Sequence, residues 1–167
     1  MPAITYELIG TATASGSSPT LLVSSIPNTY THLQIIANLR SSDSRNGGQS
    51  ASLYFNNDTS ASYSKLANEN NTGFYQANVS CIEFSCVMNG STANSFWQNE
   101  ATVCQYKNTS MYKWVWMRTG TGVFNSVAYQ NGLYRSTNVI SSVYCTEPSN
   151  LNWVAGSTLS VYGIKGE

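Results

Sequence analysis

A chain of 167 residues with eight Lys and Arg against eight Asp and Glu has no net charge, and only 10% of its residues are charged. Without a basic surplus it lacks the phosphate-neutralising surface of a nucleic-acid binder. A content of 41% hydrophobic and 12% aromatic residues excludes a disordered polar tail. The length suits one domain over residues 1–167 with a core of its own, kept in water by hydroxyls and amides rather than by ions.

At the N-terminus, Met1–Glu7 has neither the basic start nor the apolar run of a secretory signal. No apolar stretch is long enough for a spanning helix, so synthesis in a cytoplasm is expected. Apolar residues then recur at every second position between clusters of Ser, Asn, Gly and Asp, the period of strands. Ile4–Ile9 reads as a first strand, Thr11–Pro19 as a loop and Leu21–Val23 as a short second strand. Pro27, which has no donor for a ladder, marks a turn over Ile26–Tyr30. His32–Arg40 is the clearest early strand, with Leu33, Ile35, Ala37 and Leu39 facing one way.

A polar loop over Ser41–Gly48 leads to a strand at Ser52–Phe55 and a turn at Asn56–Thr59. The residues after Ser64 suit a short helical or irregular piece, and Asn68–Thr72 an exposed loop. Val79–Met88 puts Ile82, Phe84 and Cys86 on one face. Ser95–Tyr106 and Tyr112–Arg118 follow, the latter broken by Gly120 and Gly122. Val123–Tyr129, Val139–Tyr144 and Leu159–Lys165 complete nine or ten strands. In the last, Leu159, Val161 and Gly163 share one face and Ser160, Tyr162 and Ile164 the other, the pattern of a strand inserted between neighbours. With no helical period and no repeat, the fold expected is all-β: an antiparallel, jelly-roll-like β-sandwich.

The chemistry on offer is sparse. Cys81, Cys86, Cys104 and Cys145 are expected as reduced thiols, and their spacing does not suit zinc. The lone histidine, His32, heads a strand, and no Gly-x-Ser-x-Gly elbow accompanies it. Glu83 and Glu100 are the one carboxylate pair worth considering for glycoside hydrolysis, against the plainer reading of solvated strand residues. The Asn-x-Ser/Thr matches follow from composition. No catalytic residue, metal or cofactor is expected. Trp114 and Trp116 share a face with Tyr112 behind them, opposite Val115 and Met117. Facing inward they are packing; facing outward they make an aromatic strip for a sugar or a protein neighbour. The rarity of exposed aromatic stripes on monomers favours core or subunit interface.

Several segments together carry a likeness: Ser25–Leu33 running into its strand, Leu53–Asp58 before Tyr63-Ser64, and Tyr106-Lys107-Asn108 before Lys113. Gly132–Ser142 and the terminal Leu159–Gly166 continue it. In this order they resemble a group of small virion-associated proteins of tailed bacteriophages, while Val79–Cys104 departs from any shared pattern. The resemblance implies a β-rich particle component located in the virion. The reading that follows is a non-enzymatic capsid decoration (cement) protein that binds the major capsid protein or other virion subunits as a homotrimer, with neither nucleic acid nor membrane as partner. The alternative is a tail-associated or fibre-tip protein recognising host surface polysaccharide. Tyr112, Trp114 and Trp116 are the candidate interface or carbohydrate contacts. The early start of the first strand and the absence of heptads fit a compact shell component better than a fibre shaft.

Overall fold

The computed structural model describes residues 5–69 and 72–165. Ile4, expected in the first strand, and Asn70 and Asn71, expected in a loop, lie outside them. The described residues form twelve strands and no helix. They are β1 (Thr5–Thr13), β2 (Thr20–Val23), β3 (His32–Ser41), β4 (Gly48–Phe55), β5 (Tyr63–Glu69) and β6 (Thr72–Val79). The second half holds β7 (Ile82–Met88), β8 (Trp97–Val103), β9 (Lys113–Thr121), β10 (Ser126–Tyr134), β11 (Val143–Thr146) and β12 (Thr158–Lys165).

Alternation in the sequence becomes alternation in burial. Leu33, Ile35, Ala37 and Leu39 of β3 are fully buried, as are Leu159 and Val161 of β12. Each buried Leu, Ile or Val contributes about 1.5–3 kcal/mol relative to exposure. The terminal strand is indeed inserted, between β1 and β3. Composition also has a local use: among the described residues, six of the eight non-glycine residues with positive φ are asparagines, at positions 56, 57, 78, 94, 125 and 150. Asn tolerates that left-handed region better than other side chains, so the amide-rich turns are built from what the chain has in excess.

Eight strands pair as one long hairpin folded over on itself. β1 lies against β12, β2 against β11, β3 against β8 and β4 against β7, all antiparallel. Further pairing of β12 with β3 and of β11 with β4 rolls that ladder into two layers, β1-β12-β3-β8 and β2-β11-β4-β7. This is the double-sheet jelly roll. The layers share one core, in which Phe55, Ile82, Phe84 and Cys145 of one sheet meet Leu33, Ile35 and Val161 of the other.

The strand count exceeds nine or ten because of one hairpin with no expected counterpart, β5–β6, which together with β9 and β10 widens the first layer beyond β8 in the order β8-β9-β10-β5-β6. Residues after Ser64 are therefore strand, not helical or irregular. Gly73–Asn78 of β6 are exposed throughout, so no alternation marks them, and pairing with distant β10 fixes the hairpin. Likewise β9 runs on through Gly120, held between Gln98 and Val127. The extension is tied down by the stacked rings of Tyr63 and Tyr134, 4.8 Å apart, beside Phe55. The Lys65–Glu83 ion pair (2.6 Å) ties it again. Gly132 sits over Ile82, where a Cβ would come within 2.7 Å of its Cδ1.

The layers join where Arg40 and Ser41 of β3 pair in parallel with Val87 and Met88 of β7. Beyond that seam no strand among the described residues lies on the outer side of β7, and a side chain takes the strand's place. The buried Asn99 amide accepts from Ser85 N–H (2.8 Å) and donates to Ser85 C=O (2.9 Å). The cysteines are all free thiols; Cys86 and Cys145 are buried and Cys81 and Cys104 half-buried. Burial pushes the Cys86 thiol up to about 12 and Cys145 well above its ordinary value.

Candidate functional site

β9 belongs to the widened part of the sheet, and its inner positions Lys113, Val115, Met117 and Thr119 are buried. Its outer positions are not. Trp114 is 53% exposed and Trp116 61%, with Tyr112 exposed just before them. The tryptophans therefore face solvent and take no part in the core. Trp116 stands on a register line that crosses the first layer: Leu8, Tyr162, Gln34, Thr102, Trp116, Asn131, Leu66 and Tyr75 are successive cross-strand partners, and Trp114 lies two residues along β9 from it, opposite Leu133. Apolar and aromatic groups on that line, Leu8, Trp116, Leu66 and Tyr75 of them exposed, are interspersed with two amides and a hydroxyl.

Beside the strip the same face dips into an open groove of about 1100 Å³. Register explains its floor. One row is Ile36, Glu100, Arg118 and Tyr129; the next is Asn38, Gln98, Gly120 and Val127. Gly120 has no side chain to fill the centre of the second row, which makes the depression. Glu100 is fixed on both oxygens, Oε1 accepting from Gln34 Nε2 and Oε2 from Arg118 Nε at 2.6 Å. Such an exposed pair adds little stability, but it holds two planar polar groups in one orientation.

Two loops wall the groove, the β9–β10 turn on one side and Ser95-Phe96 on the other. The second wall hangs on Arg40, a guanidinium only 3% exposed. It donates from Nη1 to the carbonyls of Thr92 and Ser95 (both 2.8 Å), and from Nη2 to those of Asn89 (2.9 Å) and Ser91 (3.1 Å). Nε reaches Asn89 Oδ1 at 3.1 Å. A buried cation needs acceptors for its donors, and backbone carbonyls of one loop supply them. Lys113, fully buried, does the same for the loops beside Trp114, its Nζ donating to the carbonyls of Asn108, Met111, Ser136 and Thr137. Desolvation lowers its pKa.

The remaining sequence candidates have other places. His32 Nδ1 accepts the Gln105 N–H (3.1 Å) and so caps the chain after β8. Glu83 and Glu100 do not form a pair: Glu83 is in the second layer with Lys65, and Glu100 is on the open face of the first with Arg118. Among the described residues no group of three or more His, Cys, Asp and Glu comes together. Sequence reasoning missed Arg40, Lys113 and the groove. A Lys or Arg inside an alternating strand is a faint signal of a buried cation, and the groove has none, since its floor is made by four strands distant in sequence.

No family model matches this chain, and no curated protein matches it. A solved structure, a protein of unknown function from Shewanella oneidensis MR-1, aligns over 98% of this chain and 77% of its own at 6% identity. Its TM-score is 0.23, too low for the likeness to carry any argument.

Proposed function

We propose that this chain is a virion structural protein of a tailed bacteriophage, a non-enzymatic capsid decoration (cement) protein that seats on the outer shell as a trimer and opposes its rupture. The observation that carries the reading is a broad contact face ending on an undefended sheet edge. Exposed edges are normally blunted. β1 carries Glu7 and a bulge between Leu8 and Gly10, β2 is four residues long, and β7 is closed by Asn99. β6 has neither a charge nor a proline, its one irregularity is at the core end near Asn78, and Tyr75 is 66% exposed. Such an edge, continuous with Trp114 and Trp116, suits neighbouring subunits.

Burying about 100 Å² of each tryptophan supplies ~2.5 kcal/mol per side chain at ordinary transfer values. That is modest for one copy against the cost of association, and a trimer multiplies it without new contacts. Occupied sites then stabilise the assembled shell by mass action. The test is to add purified protein to particles that lack it. Stoichiometric binding over the head and a higher rupture temperature are expected. No binding, or label confined to the tail, overturns the reading.

A further inference from the structure

We infer that the groove floored by Tyr129, Arg118, Glu100 and Gln98 is a binding site for an uncharged oligosaccharide. This goes beyond the shell reading, because it concerns the isolated chain and not its place in a particle. Four observations lead to it. First, the floor is a planar aromatic ring, 65% exposed, set beside amides, a carboxylate and a guanidinium. Sugar rings present an apolar C–H face and a rim of hydroxyls that both donate and accept, and this set matches both.

Second, the polar groups are oriented before any ligand arrives. Both Glu100 oxygens are engaged, so the carboxylate is fixed, and Arg118 is held by one edge while its side chain stays 68% exposed. Asn38 is likewise held, donating to Thr158 Oγ1 at 3.3 Å. Preorganised groups lose less freedom on binding.

Third, the charges within the groove cancel. Among the described residues Arg118 is its one cation, and it is paired to Glu100. A phosphate backbone needs unpaired cations, so nucleic acid does not fit. Fourth, all four floor strands are interior to the sheet, each hydrogen-bonded on both sides. A peptide strand has no free edge to pair with here, which removes the common extended-peptide mode. Size agrees: four strands span about 14 Å, room for roughly two or three sugar rings in line.

The purified full chain is applied to a printed array of neutral and anionic oligosaccharides, and the best ligand is titrated by calorimetry. A neutral glycan should bind. Tyr129→Ala should weaken it about tenfold, equivalent to ~1.4 kcal/mol, and Gln98→Ala should weaken it too. Both side chains are exposed, so these variants fold. Trp114→Ala, outside the groove, should leave affinity within about twofold, a shift below ~0.4 kcal/mol. The inference is overturned by no binding to any neutral glycan, by binding of anionic glycans alone, by affinity unchanged in both floor variants, or by loss in Trp114→Ala. None of these outcomes bears on whether the protein coats a shell.

Discussion

Arg40 offers the sharpest test of how the groove wall is held. Its guanidinium is buried and meets backbone carbonyls of Asn89, Ser91, Thr92 and Ser95, and no carboxylate of the described residues is among its hydrogen-bond partners. Replacing a whole buried ion pair by apolar groups can be neutral, because both charges leave together. Here only one side can be replaced. In Arg40→Leu the carbonyls remain, and they must either stay unpaired or turn to water and release the 89–96 loop. Unpaired buried acceptors cost about 1–3 kcal/mol each, and loop release recovers part of that, so a net loss of about 3–5 kcal/mol is expected. Arg40→Lys keeps the charge, yet a lysine has three donors against the guanidinium's five, and about half the loss should remain. Urea unfolding gives the stability, and amide exchange of residues 89–96 reports the loop. If Arg40→Leu is as stable as the parent with those amides still protected, the loop is held by something else and the reasoning fails.

Asn99→Leu should cost about 2–4 kcal/mol by denaturant midpoint, since it strips the half-buried Ser85 N–H and C=O of partners and also the buried Thr119 hydroxyl, which donates to Asn99 Oδ1 at 2.8 Å. A loss below ~0.5 kcal/mol, the range of an ordinary surface change, contradicts a strand-substituting role. Trp114→Ser with Trp116→Ser should leave the melting temperature nearly unchanged while lowering particle binding; a large fall in stability would return these side chains to packing. Iodoacetamide on native protein should modify Cys81 and Cys104 first, with Cys86 and Cys145 reacting only in denaturant, because burial keeps the latter two protonated. Equal rates by mass spectrometry would refute it.

Acid sensitivity has a predictable sign. The Arg45 guanidinium hydrogen-bonds the Asp43 carboxyl and holds it below the usual carboxylate range. The folded state then binds that proton more weakly than the unfolded chain. Its contribution is complete above about pH 4 and is lost as pH falls through the lowered folded value. Asp43→Asn should flatten the fall of the urea midpoint over that window, and an unchanged slope would assign the acid response elsewhere.

Much of the fold was legible in the residues themselves. Leu33, Ile35, Ala37 and Leu39 alternate because one face of β3 is core, and Leu159 and Val161 alternate for the same reason. Alternation is a local property, so the sequence by itself determined an all-β chain and an inserted terminal strand. β9 shows where that stops. Val115 and Met117 on one side and Trp114 and Trp116 on the other are both apolar, so the pattern cannot orient the strand. The neighbours β8 and β10 decide it, turning the tryptophans to solvent. β6 was illegible because neither of its faces is buried. Arg40 and Lys113 were invisible as core residues because what lets a cation be buried is a ring of carbonyls from loops far along the chain. The groove is of the same kind. Its floor exists only once β3, β8, β9 and β10 lie in register, a set of non-local pairings that no single stretch encodes.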